Sequence, residues 1–161
     1  MTPISVLKQF TFFKDFNDEQ LTKLTALAKE ESYSAGVQLY QKCDPARGLH
    51  IITQGKVVLF MDSYMGPHKP PMQVTVDMIT TGDPMGWSSI VEPYLYTLGA
   101  LCLDNVKLIV FDACGLRKLM EEDCALGLKM MQVVAKVISM RLTHTQIILV
   151  GERGLSVLTE Y

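Results

Sequence analysis

Between residues 33 and 112 no apolar run is longer than a short strand, and each ends at a turn carrying Gly, Pro, Asp or Asn. Gly36 precedes Val37, Leu39 and Tyr40; Asp44-Pro45-Ala46-Arg47-Gly48 breaks that run, and Leu49, Ile51 and Ile52 resume it. Gln54-Gly55 leads into Val57, Val58, Leu59 and Phe60. A polar, proline-rich stretch over 62–71 reads as a hairpin loop, followed by Val74, Val76 and Met78 in alternation with polar residues. Residues 98–103 and, after Asp104-Asn105, residues 106–112 close the series. Glycine and proline interrupt a strand ladder and favour turns. Many short strands punctuated in this way point to a mainly β barrel or sandwich, such as a jelly roll.

The flanks read as helices. Residues 5–30 predict two short ones: an apolar knot of Leu7, Phe10, Phe12, Phe13 and Phe16, then cap-type residues over 17–20. Leu21, Leu24, Leu27 and Ala28 share one face of the second. Asp112 is a suitable N-cap for a helix over 113–120. A long helix is predicted from about residue 123 to 150. Along it Leu128, Met131, Ala135, Ile138, Leu142, Thr145 and Leu149 form one stripe, and Met130, Val134, Val137, Arg141, His144 and Ile148 a second. One stripe suffices to cover a barrel; two predict that the helix also meets a partner, most simply a second copy in a homodimer. The whole is expected to be one domain over 1–161, with the barrel at about 33–112 and N-terminal and C-terminal helices around it.

Net charge is -2 with a pI near 5.9, and Lys and Arg are scattered, so DNA binding by this chain alone is not expected. Cysteines 43, 102, 114 and 124 match neither a redox pair nor a zinc pattern and read as reduced thiols of a cytoplasmic protein. No apolar run reaches about 18 residues, so no membrane span is expected. His50, His68 and His144 fall on different predicted elements, which argues against a metal site, a cofactor or an enzyme.

Residues 81–100, TGDPMGWSSIVEPYLYTLGA, cannot be one strand. A short helical turn opening near Gly86 fits them better, its free N–H groups forming an anion site. In order along the chain, Gly36-Val37-Gln38-Leu39-Tyr40, residues 48–57, Gly82-Asp83, Met85-Gly86 and residues 104–112 resemble the cyclic nucleotide-binding domain. This is the regulatory module of catabolite-activator-like transcription factors, cAMP-dependent kinase regulatory subunits and cyclic-nucleotide-gated channels. The resemblance implies a double-stranded β-helix (jelly roll) barrel with a phosphate-binding cassette. In the family a Gly-Glu-Leu/Ala segment opens a short helix, the Glu holds the ribose hydroxyl, and a downstream Arg pairs with the phosphate. Here Gly86 matches the Gly, Trp87 stands at the Glu position, Ser88 and Ser89 follow, and Tyr96 with Thr97 falls at the Arg position.

Both charged anchors are thus missing. An Arg offers the phosphate a charge-assisted fork that Tyr cannot replace. A neutral hydrogen bond contributes about 0.5–1.5 kcal/mol, one to a charged group roughly 1.5–3. Two readings follow. In the first the chain is a non-enzymatic sensor that binds ordinary cAMP or cGMP poorly and holds a cyclic nucleotide or another small anion through Gly86, Trp87, Ser88, Ser89, Tyr96 and Thr97. In the second Trp87 fills the pocket, and the chain is a ligand-free interaction or dimerisation domain that recruits a regulatory protein partner.

Overall fold

The computed structural model describes residues 2–159, with side chains placed through Glu152. Met1, Glu160 and Tyr161, included in the domain expected over 1–161, lie outside the described residues. Helix α1 (Ile4–Leu7) and a one-turn helix at Thr11–Phe13 precede α2 (Asp18–Thr25). Asn17 caps α2 in a reciprocal box, its side chain accepting from the Gln20 N–H while the Asn17 N–H donates to Gln20 Oε1.

Strands β1 (Ala28–Tyr33), β2 (Gln38–Tyr40), β3 (Gly48–Gln54), β4 (Val57–Ser63), β5 (Met72–Ile79), β6 (Pro84–Met85), β7 (Gly99–Cys102) and β8 (Val106–Asp112) follow. They form two antiparallel four-stranded sheets, ordered β1-β8-β3-β6 and β2-β7-β4-β5. This is the predicted jelly roll. Helices α3 (Ala113–Glu122) and α4 (Cys124–Thr159) complete the chain. Asp112 caps α3, accepting from the Gly115 N–H at 2.8 Å.

The sheet containing β3 and β8 is covered on both faces. Leu49, Ile51, Ile109 and Phe111 point outward into a core shared with Phe13, Leu21, Leu24, Leu116, Leu126 and Met130 of the helices. Ile52, Val106 and Leu108 point inward, against Val57, Leu59, Ala100 and Cys102 of the second sheet. Burial on both faces explains why 106–112 reads as an almost continuous apolar run.

Several expected boundaries are corrected. Residues 28–33 are strand β1, paired with β8 from Ala28↔Phe111 to Tyr33↔Val106. The barrel therefore starts at 28 and the second N-terminal helix ends five residues short of the predicted residue 30. The sequence AKEESY has no apolar face to keep it helical, and its charges suit a sheet edge. Helix α4 runs to Thr159, past the predicted 150, because no Pro breaks it. Its stretch Cys124–Glu152 is long and apolar enough, by length and composition alone, to cross a membrane, with mean hydropathy 1.4 in its most apolar window. A search for unbroken apolar runs misses it because Lys136 and Arg141 interrupt the sequence without interrupting the helix.

The stripe Met130, Val134, Val137 and Arg141 faces the barrel side: the first two are buried and the others half-buried. Leu128, Met131, Leu142 and Leu149 of the other stripe are exposed.

Candidate functional site

The turn after β5 is built by Asp83, whose Oδ2 accepts from both the N–H and the hydroxyl of Thr80, at 3.0 and 2.9 Å. It delivers β6 alongside β3, pairing Met85 with His50. Gly86 follows with φ +78°, and a single helical turn, Trp87–Ser89, opens from it. A Cβ on Gly86 would lie 2.7 Å from the Gly48 carbonyl oxygen and 2.9 Å from His50 Nδ1, so both backbone angle and space require glycine. The internal bonds of the turn use the N–H groups of Ser89 and Ile90. Those of Trp87 and Ser88, at its start, make no bond within the turn.

The chain returns through a cis Glu92–Pro93 bond and Tyr94, at φ +59°. Residues 94–96 then pair with 43–46: Tyr96 N–H donates to Asp44 O, and Cys43 N–H to Tyr96 O. The Tyr96 side chain enters the barrel, only 6% exposed, and its hydroxyl lies 3.3 Å from both the N and the O of Gly48. Its ring stacks on Tyr40 with centroids 3.6 Å apart and planes 12° from parallel. Burial raises the Tyr96 phenol above its ordinary value. His50 sits 6.4 Å from Tyr96, its Nδ1 buried without a partner; burial pushes the imidazole down to about 4, so it is neutral at pH 7.

Five of the six sequence-predicted site residues, Gly86, Trp87, Ser88, Tyr96 and Thr97, line one cavity of about 240 Å³. Ser89 does not. It is fully buried, its hydroxyl has no partner, and its carbonyl accepts from Arg117 Nη1 at 2.6 Å. Trp87 is half-buried and packs against the helical core while bounding the cavity. The position expected for the Arg anchor thus holds an inward tyrosine engaged with Tyr40 and Gly48.

The opposite wall belongs to α4, which contributes Ile138, Arg141, Leu142, His144 and Thr145. Sequence reading placed Arg141 and His144 on a helix stripe without assigning them to the cavity. Arg141 donates from Nη2 to Pro84 O and from Nε approaches Asp77 Oδ2 at 3.4 Å. Its burial disfavours the charged form, and Asp77 offsets part of that effect. A cation on an otherwise apolar, barrel-facing stripe was the available signal. Among the described residues no group of three or more His, Cys, Asp or Glu side chains gathers to hold a metal.

A two-sheet jelly roll, with a glycine-led turn facing a long closing helix across a cavity, is a regulatory-domain type of barrel. The model of the cyclic nucleotide-binding domain matches residues 30–123, more than half of the chain, and the chain belongs to that family. Among solved structures it is similar to one from Geobacter metallireducens GS-15 described as a cyclic nucleotide-binding protein, with 28% identity and a TM-score of 0.78. That match covers 88% of this chain and 99% of the other. A cyclic nucleotide-binding domain from Methylobacillus flagellatus KT matches at 18% identity and TM-score 0.75, over 92% and 81% of the two chains. The catabolite activator protein of Thermus thermophilus matches at 17% identity and TM-score 0.68, over 86% and 61%. These last two show the shared fold. No curated protein matches.

Proposed function

We propose that the chain is a non-enzymatic sensor whose cassette cavity takes a compact anion and whose readout is the position of α4. The observation that carries this reading is Arg141. It reaches from α4 into the cavity and is held there by Asp77 and Pro84 of the barrel. An anion entering beside it competes with Asp77 for the guanidinium, so occupancy and the helix–barrel contact are linked. A ligand shifts the helix to the extent that it favours one arrangement.

The cavity volume argues against an ordinary cyclic nucleotide. About 240 Å³ is below the ~300–1,000 Å³ usual for small-molecule sites, and Tyr96 supplies no charge to a phosphate. The exposed stripe of α4 suits a homodimer through that helix, or a regulatory protein partner, rather than DNA contact by this chain alone. The free thiols at Cys43, Cys102, Cys114 and Cys124 suit a reducing cytoplasm. A second reading, a ligand-free dimerisation domain, is favoured by the Tyr40–Tyr96 stack, which already occupies the barrel interior.

Calorimetric titration with cAMP, cGMP, cyclic dinucleotides and inorganic phosphate tests both. The sensor reading expects the cyclic mononucleotides to bind more weakly than micromolar. It expects a compact anion to bind and to lose at least tenfold in affinity in Arg141→Gln. Micromolar or tighter cAMP binding would sink the disfavoured-nucleotide reading; heat from none of these ligands, with dimerisation intact, would favour the second.

A further inference from the structure

Tyr40 and Tyr96 line two cavities, so their stacked rings form a wall between them. Beyond that wall from the cassette lies a cleft of about 650 Å³, between the inner face of β1 and the 44–48 segment. Its volume falls within the ~300–1,000 Å³ range of small-molecule sites, where the cassette cavity falls short of it. We propose that this cleft is a second ligand site and that it takes a small zwitterion, of the class of free amino acids and betaines.

The charges around the cleft are of both signs and do not pair with one another. Lys29 and Arg47 have no hydrogen-bonded or ion-paired partner through their side chains among the described residues, and the ion pairs of those residues involve neither. The carboxylates nearby are fixed locally. Asp44 accepts from the Gln41 N–H and Asp112 caps α3, each at 2.8 Å. Glu31 accepts from the Tyr33 hydroxyl at 2.6 Å, a bond that, with burial, pushes that phenol up to about 12 and leaves the other Glu31 oxygen available.

Both walls of the cleft carry both signs: Lys29 and Glu31 from β1, Arg47 and Asp44 from the 44–48 segment. Glu31 and Tyr33 stand on alternate positions of β1, on the face that looks into the barrel, and the charge of Glu31 acts on His50. His50 is neutral and so does not compete for the carboxylate. Arg47 lines the cleft from the 44–48 segment, and its charge, opposed by that of Asp44, acts on the hydroxyl of Tyr96. A cationic head set against Glu31 has the aromatic rings of Tyr33 and Tyr40 lining the same cleft, and such rings attract cations. The same molecule's carboxylate then meets Arg47, whose planar fork suits it. A simple anion meets the like charge of Glu31, and a simple cation meets those of Arg47 and Lys29, whereas a zwitterion can engage both signs.

The test is titration of the full chain with glycine betaine, choline and acetate at one ionic strength, by calorimetry and by amide NMR. Glycine betaine is expected to saturate at millimolar concentration and to bind at least tenfold more tightly than choline or acetate. It is expected to shift amides of residues 29–33 and 47–50. Glu31→Gln and Arg47→Gln each lower its affinity tenfold or more with unchanged melting; Lys136→Gln, on the exposed side of α4, does not alter it. Absence of saturation overturns the proposal. So does choline or acetate binding as tightly as the zwitterion, or shifts confined to residues 86–97.

Discussion

His50 shows how one side chain carries a measurable property of the barrel. Its folded pKa of about 4 lies below the ordinary value of 6.5, because the buried ring resists protonation. Between those two values the unfolded chain binds a proton that the native chain does not. The stabilisation is complete above about pH 6.5 and is lost as pH falls from there toward 4, by up to about 3 kcal/mol. Urea unfolding at pH 7.5 and pH 5 is expected to show this loss, and His50→Gln is expected to show a smaller one. Equal pH dependence in the two proteins would mean that other groups set the acid limb. At this scale the sequence was only partly legible. It placed Tyr96 where the family keeps an Arg, which is a statement about alignment. That the tyrosine turns inward to stack on Tyr40 and bond to Gly48 depends on residues 56 and 48 positions away in the chain, which no local pattern brings together.

The element that positions the site is the turn from Gly86 to Ser89, and it depends on one backbone conformation. Gly86→Ala places a Cβ at φ +78° and within 2.7 Å of the Gly48 carbonyl. The backbone strain alone is about 1–3 kcal/mol, and the contact adds to it. A fall in the urea midpoint with unchanged slope is the expected result; an unchanged midpoint would show that the turn relaxes at little cost. Turns of this kind are legible because glycine and proline announce them, as Gly36, Gly55 and Gly82 also do with positive φ. Helix ends were legible where a cap exists, at Asn17 and Asp112. Strand β1 was not, because AKEESY has no alternating apolar pattern and owes its conformation to pairing with β8. The two stripes of α4 were visible as periodicity, but only the packed structure shows that Met130 and Val134 of one are buried on the barrel while the other meets it through Ile138, Leu142 and Thr145.

At the scale of the whole molecule, the covered and uncovered faces of α4 divide its work. Met130 and Val134 are buried against the barrel, while Leu128, Met140, Leu142, Ile147 and Leu149 stand exposed along the same helix. An apolar surface of that extent is rarely left in water. Light scattering is expected to report a dimer, and Leu128→Glu combined with Leu149→Glu to give a monomer whose barrel melts as before. A wild-type chain that stays monomeric at high concentration would show that the stripe awaits a different protein. Trp87 has a further use. It is the one tryptophan of the chain, it is half-buried, and it borders the cassette cavity. Indole emission responds to polarity and quenching within a few ångströms, so the tryptophan component of this chain's fluorescence, excited selectively over its six tyrosines, is a signal from its candidate site alone. The molecule carries its own optical reporter there, free of background from any other indole.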